Sequence, residues 1–317
     1  MKKRLRLSRT QRHLFPPPEI SRRRGFTLVE LIVVIVLTGI VATMMALFIR
    51  VPIQNYVDNV ARAELTDAVN ITANRLTRDL HLALPNSVRI SADGRYLEFL
   101  LTKTGGRYLA EEDGLGLSGV LNFTAATPSP NPNTFNIVGT PPSGRQTIVA
   151  GDSIVVYNLG PGFDPSDAYN CTGVSPNRLC NRSTVVSIVG NVVTMTDNPF
   201  VNQVPSMGSP TARFQVVTTP VTYYCDGLIG GVAKTGTLTR YSGYAIQAAQ
   251  PISILAAPLS TATRGRMAEQ VADCAFLFNS LANVQRGLVT LRLTFGAASS
   301  STGVVTLIKQ IHINNTP

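Results

Sequence analysis

Arg22-Arg23-Arg24-Gly25-Phe26-Thr27-Leu28-Val29-Glu30 leads into a 24-residue run, Phe26 to Ile49 (FTLVELIVVIVLTGIVATMMALFI), whose one charged group is Glu30. As a helix the run spans ~36 Å at about 1.5 Å per residue, enough to cross a hydrocarbon core of roughly 30 Å. A helix buried in a globular core would keep a polar face, and this one has none. A single membrane span is predicted, because no second run of comparable length follows.

Charge is distributed around that span unevenly. Of the net +10 carried by 317 residues, the leader 1–25 holds nine bases (Lys2, Lys3, Arg4, Arg6, Arg9, Arg12, Arg22, Arg23, Arg24) against one acid, Glu19. The other 292 residues hold 19 bases and 17 acids. A nucleic-acid binder carries its basic excess as a patch on the folded surface. Here the excess stops where the apolar run begins, so no nucleic-acid partner is expected. The same asymmetry predicts a cytoplasmic N-terminus and a translocated remainder.

Several export signals fit part of this pattern. The run is too long for an ordinary secretory signal, whose apolar stretch covers about 7–15 residues. Arg23-Arg24-Gly25-Phe26 suggests a twin-arginine signal, but the apolar run is too strong for one. A plain anchor leaves Glu30 unexplained, since a carboxylate near mid-membrane costs on the order of 2.5–3.5 kcal/mol and usually marks a functional pairing. The whole segment from Arg22 to Glu30 resembles the prepilin processing site of type IV pilins and type II secretion pseudopilins. That resemblance implies cleavage between Gly25 and Phe26 by a membrane-embedded prepilin peptidase, with N-methylation of Phe26. It also implies that Glu30 serves subunit assembly, pairing with a neighbouring subunit's amine where low dielectric strengthens the attraction.

Beyond the membrane, Gly39 and Pro52 are candidate helix breaks, since glycine costs roughly 1 kcal/mol against alanine in a helix and proline removes a backbone hydrogen bond. Glycine is also simply common in membrane helices. Val57, Ala61, Leu65, Val69, Ala73, Leu76, Leu80 and Leu84 recur at spacings of three or four, predicting an amphipathic helix lying on a core. Leu84-Pro85 is its expected end. The division expected is a leader 1–25, a filament-core half of the helix 26–50, an amphipathic half 51–84 and a head 85–317.

The head reads as predominantly β. Strands are expected at Tyr96–Leu101, Asp152–Tyr157, Phe214–Thr218, Val221–Cys225, Thr237–Tyr241, Cys274–Phe278, Leu288–Phe295 and Val304–Ile313. A hairpin is expected around Gly190-Asn191. Five prolines (Pro128, Pro130, Pro132, Pro141, Pro142) make 125–145 an expected surface loop. The fold class is α+β, a long N-terminal helix packed on an antiparallel β head.

Cys171, Cys180, Cys225 and Cys274 lie on the translocated side, where disulfides persist. Three pairings are possible; the favoured one joins Cys171 to Cys180 and Cys225 to Cys274. No C-x-x-C spacing or nearby histidine supports a metal, and no cofactor is expected. Gly105-Gly106 and Gly230-Gly231 read as turns without a phosphate-loop context. Asp164 and Asp167, in the loop 160–167, offer two acids where calcium binding is conceivable, but a plain turn is the simpler reading. No nucleophile sits with a base at a recognisable spacing, so no enzyme is expected.

From VPIQNYVDNVARAELTDAV (51–69) through RLTRDLHLALPNSVRI (75–90), YLEFLLTKTGGRY (96–108) and the ending IHINNTP (311–317), the chain resembles the MshO family of minor pilins in the mannose-sensitive haemagglutinin (MSHA) pilus system. The resemblance implies a single-pass bacterial inner-membrane protein with a periplasmic head. Its implied partners are the prepilin peptidase/methyltransferase, other minor and major pilins, and the pilus assembly platform. A type II secretion pseudopilin shares the whole N-terminal logic. An adhesive, glycan-binding head on a pilin stem is a rival of another class, with Tyr223 and Tyr224 as aromatic candidates that also suit strand packing.

Overall fold

The structure, a computed structural model, describes residues 25–113, 118–124, 132–175, 177–227, 235–279, 286–296 and 303–317. The basic leader, Gly230-Gly231 and part of the proline-rich loop lie outside the described residues. The chain divides into two compact units between Val57 and Asp58.

Helix α1 (Leu28–His81) runs unbroken through Gly39 and Pro52, so neither interrupts it in the single chain. In the first unit every side chain of α1, Val57 included, is exposed. Thr38 and Thr43 satisfy their hydroxyls inside the helix, on the carbonyls of Val34 (2.7 Å) and Ile40 (2.8 Å), as an apolar surrounding requires.

In the second unit the stripe becomes a core. Leu65, Val69, Thr72, Ala73, Leu76 and Leu80 are buried at helical spacing. Val57, expected in that stripe, is exposed and belongs to the first unit. The helix also stops at His81, three residues before the expected end. Residues 82–84 leave it to pair with the sheet: Leu84 N–H donates to Leu100 O and Thr102 N–H to Leu82 O, each at 2.8 Å.

Eleven strands are present among the described residues: β1 (Arg89–Ile90), β2 (Tyr96–Tyr108), β3 (Thr134–Val138), β4 (Ser153–Val155), β5 (Arg182–Val189), β6 (Val192–Met195), β7 (Arg213–Cys225), β8 (Gly236–Ser242), β9 (Thr263–Asn279), β10 (Arg286–Phe295) and β11 (Val305–Asn314). All pairings are antiparallel. Seven strands form an open sheet in the order β1-β2-β7-β8-β9-β10-β11. One face of it meets α1, and Leu97, Phe99, Val221, Phe276, Leu291 and Ile311 bury there against the helical stripe.

The chain between β2 and β7 does something else. There β2 pairs with β3, β3 with β6, β6 with β5, β5 with β4, and β4 with β7, while β7 pairs with β2. The ring closes, giving a six-stranded barrel filled by Phe135, Ile154, Val185, Val193, Met195 and Phe214. Phe135 and Phe214 meet edge-on at 5.3 Å. The two 13-residue strands β2 and β7 belong to both bodies.

Several expectations change here. β3 lies inside the expected 125–145 loop, with Phe135 fully buried, because the prolines at 132, 141 and 142 flank the strand instead of interrupting it. The segments 214–218 and 221–225 are one strand: Pro220 sits opposite Leu100 beside a register irregularity, where its missing N–H is tolerated. Gly105 and Gly106 are interior to β2, not a turn. A Cβ on Gly106 would come within 2.7 Å of the Phe214 ring, so the glycine makes room for the barrel core. The hairpin at Gly190-Asn191 is as expected, with Gly190 at φ +60°.

Candidate processing and assembly segment

Gly25, Phe26 and Thr27 precede the helix in a non-helical conformation, and among the described residues a Cβ on Gly25 would meet nothing within 4 Å, while Phe26 is 78% exposed. Thr27 is the N-cap. Its Oγ1 accepts from Glu30 N–H (3.2 Å) and its carbonyl from Leu31 N–H (3.1 Å). Thr-Leu-Val-Glu is thus the threonine-x-x-glutamate pattern of a capping box, and the Glu30 carboxylate lies in the first turn, where the helix dipole favours a negative charge. The sequence reading weighed Glu30 only as a charge partner. The spacing from Thr27 was the signal for this second role.

Glu30 is exposed, with no ion-pair partner among the described residues. Gly39 has open space around its missing Cβ, so no contact among the described residues requires glycine there. At Pro52 the absent N–H leaves the carbonyl of Phe48 without its helical donor.

The cysteines pair as favoured, Cys171 with Cys180 and Cys225 with Cys274. The first closes a loop that Thr172 and Leu179 also close through paired backbone bonds of 3.1 and 2.8 Å. The second ties β7 to β9 just beyond the start of β8, within the helix-backed core. Tyr223 is fully buried, its hydroxyl donating to Asp79 Oδ2 on α1 at 2.8 Å, and Arg240 Nε donates to the same oxygen at 2.8 Å. Tyr224 stacks on Tyr96 at 4.6 Å. Both tyrosines therefore serve packing. Asp164 accepts from the Asn170 amide and Asp167 from Tyr169 N–H, and no group of three or more metal-capable side chains occurs among the described residues.

A buried ionic network on the sheet's outer face was not legible in the sequence. Glu98 is wholly buried and accepts from Arg89 Nε at 2.6 Å and from the Tyr244 hydroxyl at 2.9 Å. Burial pushes the Glu98 carboxyl above its usual range, against the opposing pull of Arg89 and the Tyr244 hydrogen bond. Arg89 also donates to the carbonyls of Gln247 (2.9 Å) and Ala248 (2.7 Å) and lies 3.7 Å over the Tyr169 ring. It thereby ties the 243–250 connection and the loop carrying Tyr169 to the sheet. No local pattern in 89–98 announces this, because every partner but Glu98 is distant in the chain.

Residues 20–46 match the prokaryotic N-terminal methylation motif. No curated protein and no solved structure matches the chain. The motif, set at the start of a long apolar helix, supports a type IV pilin-like protein. It implies processing by a prepilin peptidase and membrane association with pilins, and the one helix among the described residues that is long and apolar enough to cross a membrane suggests a single-pass anchor.

Proposed function

We propose that the chain is a minor pilin of an MSHA-type type IV pilus, acting in assembly initiation or in a tip or priming complex. In this reading the peptidase cuts between Gly25 and Phe26 and Phe26 is N-methylated. The N-terminus faces the cytoplasm and the head the periplasm, and Glu30 pairs with the amine of an adjoining subunit. The observation that carries the reading is the motif itself, Gly25-Phe26 unencumbered and Glu30 held in the first helical turn by Thr27. Minor status is supported by the barrel inserted between β2 and β7, bulk that close helical repetition of thousands of heads would have to accommodate.

Gly25→Val is expected to leave the precursor at full length, and N-terminal sequencing of the mature wild type to begin at methylated Phe26. Any other mature end defeats the pilin reading. Glu30→Ala is expected to insert normally, since it removes the cost of a carboxylate in the membrane, yet to lose incorporation into filaments. Normal piliation at wild-type expression would remove the assembly role. The abundance of the chain in sheared filaments tests minor status, and near-equimolar amounts with the main subunit would show a major pilin instead.

A further inference from the structure

β11 ends the open sheet, and its ten residues pair one for one with β10 without a bulge. No strand pairs with its other edge among the described residues. Proteins protect such edges with short strands, proline, bulges or outward-pointing charge. The opposite edge obeys this, since β1 has two residues. β11 has no proline, and its one lysine, Lys309, turns onto the helix face, where Nζ donates to Asn74 Oδ1 at 2.8 Å.

Apolar surface accompanies the open edge. Val305 and Leu307, which face α1, are only partly buried against the core. Ile71, one turn before Asn74 on the same side of α1, is 54% exposed. A row of backbone donors and acceptors thus borders an apolar seam, the arrangement that strand addition uses.

Direction limits what can dock. A Cβ on Gly303 would lie 3.6 Å from Arg62, Lys309 bonds Asn74, and Asn315 bonds Asn86, so β11 and α1 run the same way. On the pilin reading, copies share one anchor direction. Pairing β11 antiparallel to its own copy would invert one helix, pairing it parallel to its own copy would put the two helices on opposite faces of the joined sheet, and the open sheet's other edge among the described residues, β1, offers two residues. We propose that the β11 edge accepts an extended segment of a different pilin-like subunit. Its apolar residues fall at alternate positions over Val305, Leu307 and Ile71.

The test is hydrogen–deuterium exchange on the full chain in detergent micelles. The probe is a synthetic peptide with the β10 sequence RGLVTLRLTF, whose alternation already fits β11, and the control is the same composition scrambled. In the lone chain, the outward amides of β11 are expected to exchange at least about tenfold faster than those of β10. The ordered peptide should slow them by about fivefold or more, and the scrambled one should not. Thr306→Lys with Ile308→Lys, both exposed, should abolish that protection while β10 stays protected. Equal protection of β11 and β10 in the lone chain, no peptide effect, or equal effects of both peptides would overturn the proposal. Concentration-dependent protection of β11 by the chain alone would show self-pairing and overturn the choice of a different subunit. These readouts do not involve cleavage at Gly25, so failure here and failure of the pilin reading are separable.

Discussion

The head solves one problem, hiding strand faces and edges, in two ways. The open sheet is covered on one face by α1 and has ends, β1 and β11. The barrel needs no helix: its strands bury their inner faces on each other, and ring closure removes the edges. The difference teaches which part is committed to the stem. The sheet's core is made jointly with Leu65–Leu80 of α1, whereas the barrel core contains no residue of α1. The barrel is an insertion carried on two extended strands.

Removing the insertion is the strongest way to break that comparison. Tyr108 N–H donates to Ala212 O at 2.8 Å and Arg107 faces Arg213, so replacing residues 109–211 by Asn-Gly closes a two-residue hairpin. The shortened chain is expected to keep α1 on its sheet and to form Cys225–Cys274, at a lower Tm because Tyr169 no longer covers Arg89. Circular dichroism and thiol titration check this. Failure to fold or to form the disulfide would show that the two bodies are one cooperative unit.

The disulfides sharpen the contrast at smaller scale. Cys225–Cys274 closes 49 residues of the helix-backed sheet, and Cys171–Cys180 closes 9 in the inserted segment. On the loop-entropy model these contribute about 4 and about 2.5 kcal/mol. Cys274→Ala should therefore lower stability more than Cys180→Ala in denaturant titrations, each compared with its partner's alanine variant. The reverse order would place the weaker body at the sheet.

The smallest expected effect tests the point where the two bodies meet. Gly106→Ala drives a Cβ into the Phe214 ring, and overpacking of this kind costs roughly 1–3 kcal/mol. The loss should appear as faster hydrogen exchange in β3–β6, with β8–β11 unchanged. Uniform acceleration across the head would deny the barrel separate stability.

The helix-backed half was largely legible. Apolar run, leader charge, one-sided stripe and long alternating strands are local signals, and each is read within one element. The cap that Thr27 places on Glu30 N–H was equally local, three residues apart. The barrel's closure was not legible: β4 and the β5–β6 hairpin were expected as strands, but their pairing into a ring with β2, β3 and β7 joins residues far apart in the chain, and β3, five residues long, was missed. Proline density then argued the wrong way around Phe135.

By itself the sequence determined the long apolar helix, the N-terminal methylation motif and the β character of the head, and it favoured the cysteine pairs that the structure contains. Periodicity, charge and spacing act over a few residues, so they survive without knowledge of the fold. Only the tertiary structure decided that β2 and β7 are shared, that the ring closes, and that Glu98 is buried against Arg89 and Tyr244. Those outcomes depend on contacts between residues far apart in the chain, such as the 146 positions separating Glu98 from Tyr244. Their energies come from desolvation and closure, which have no local trace in the order of residues.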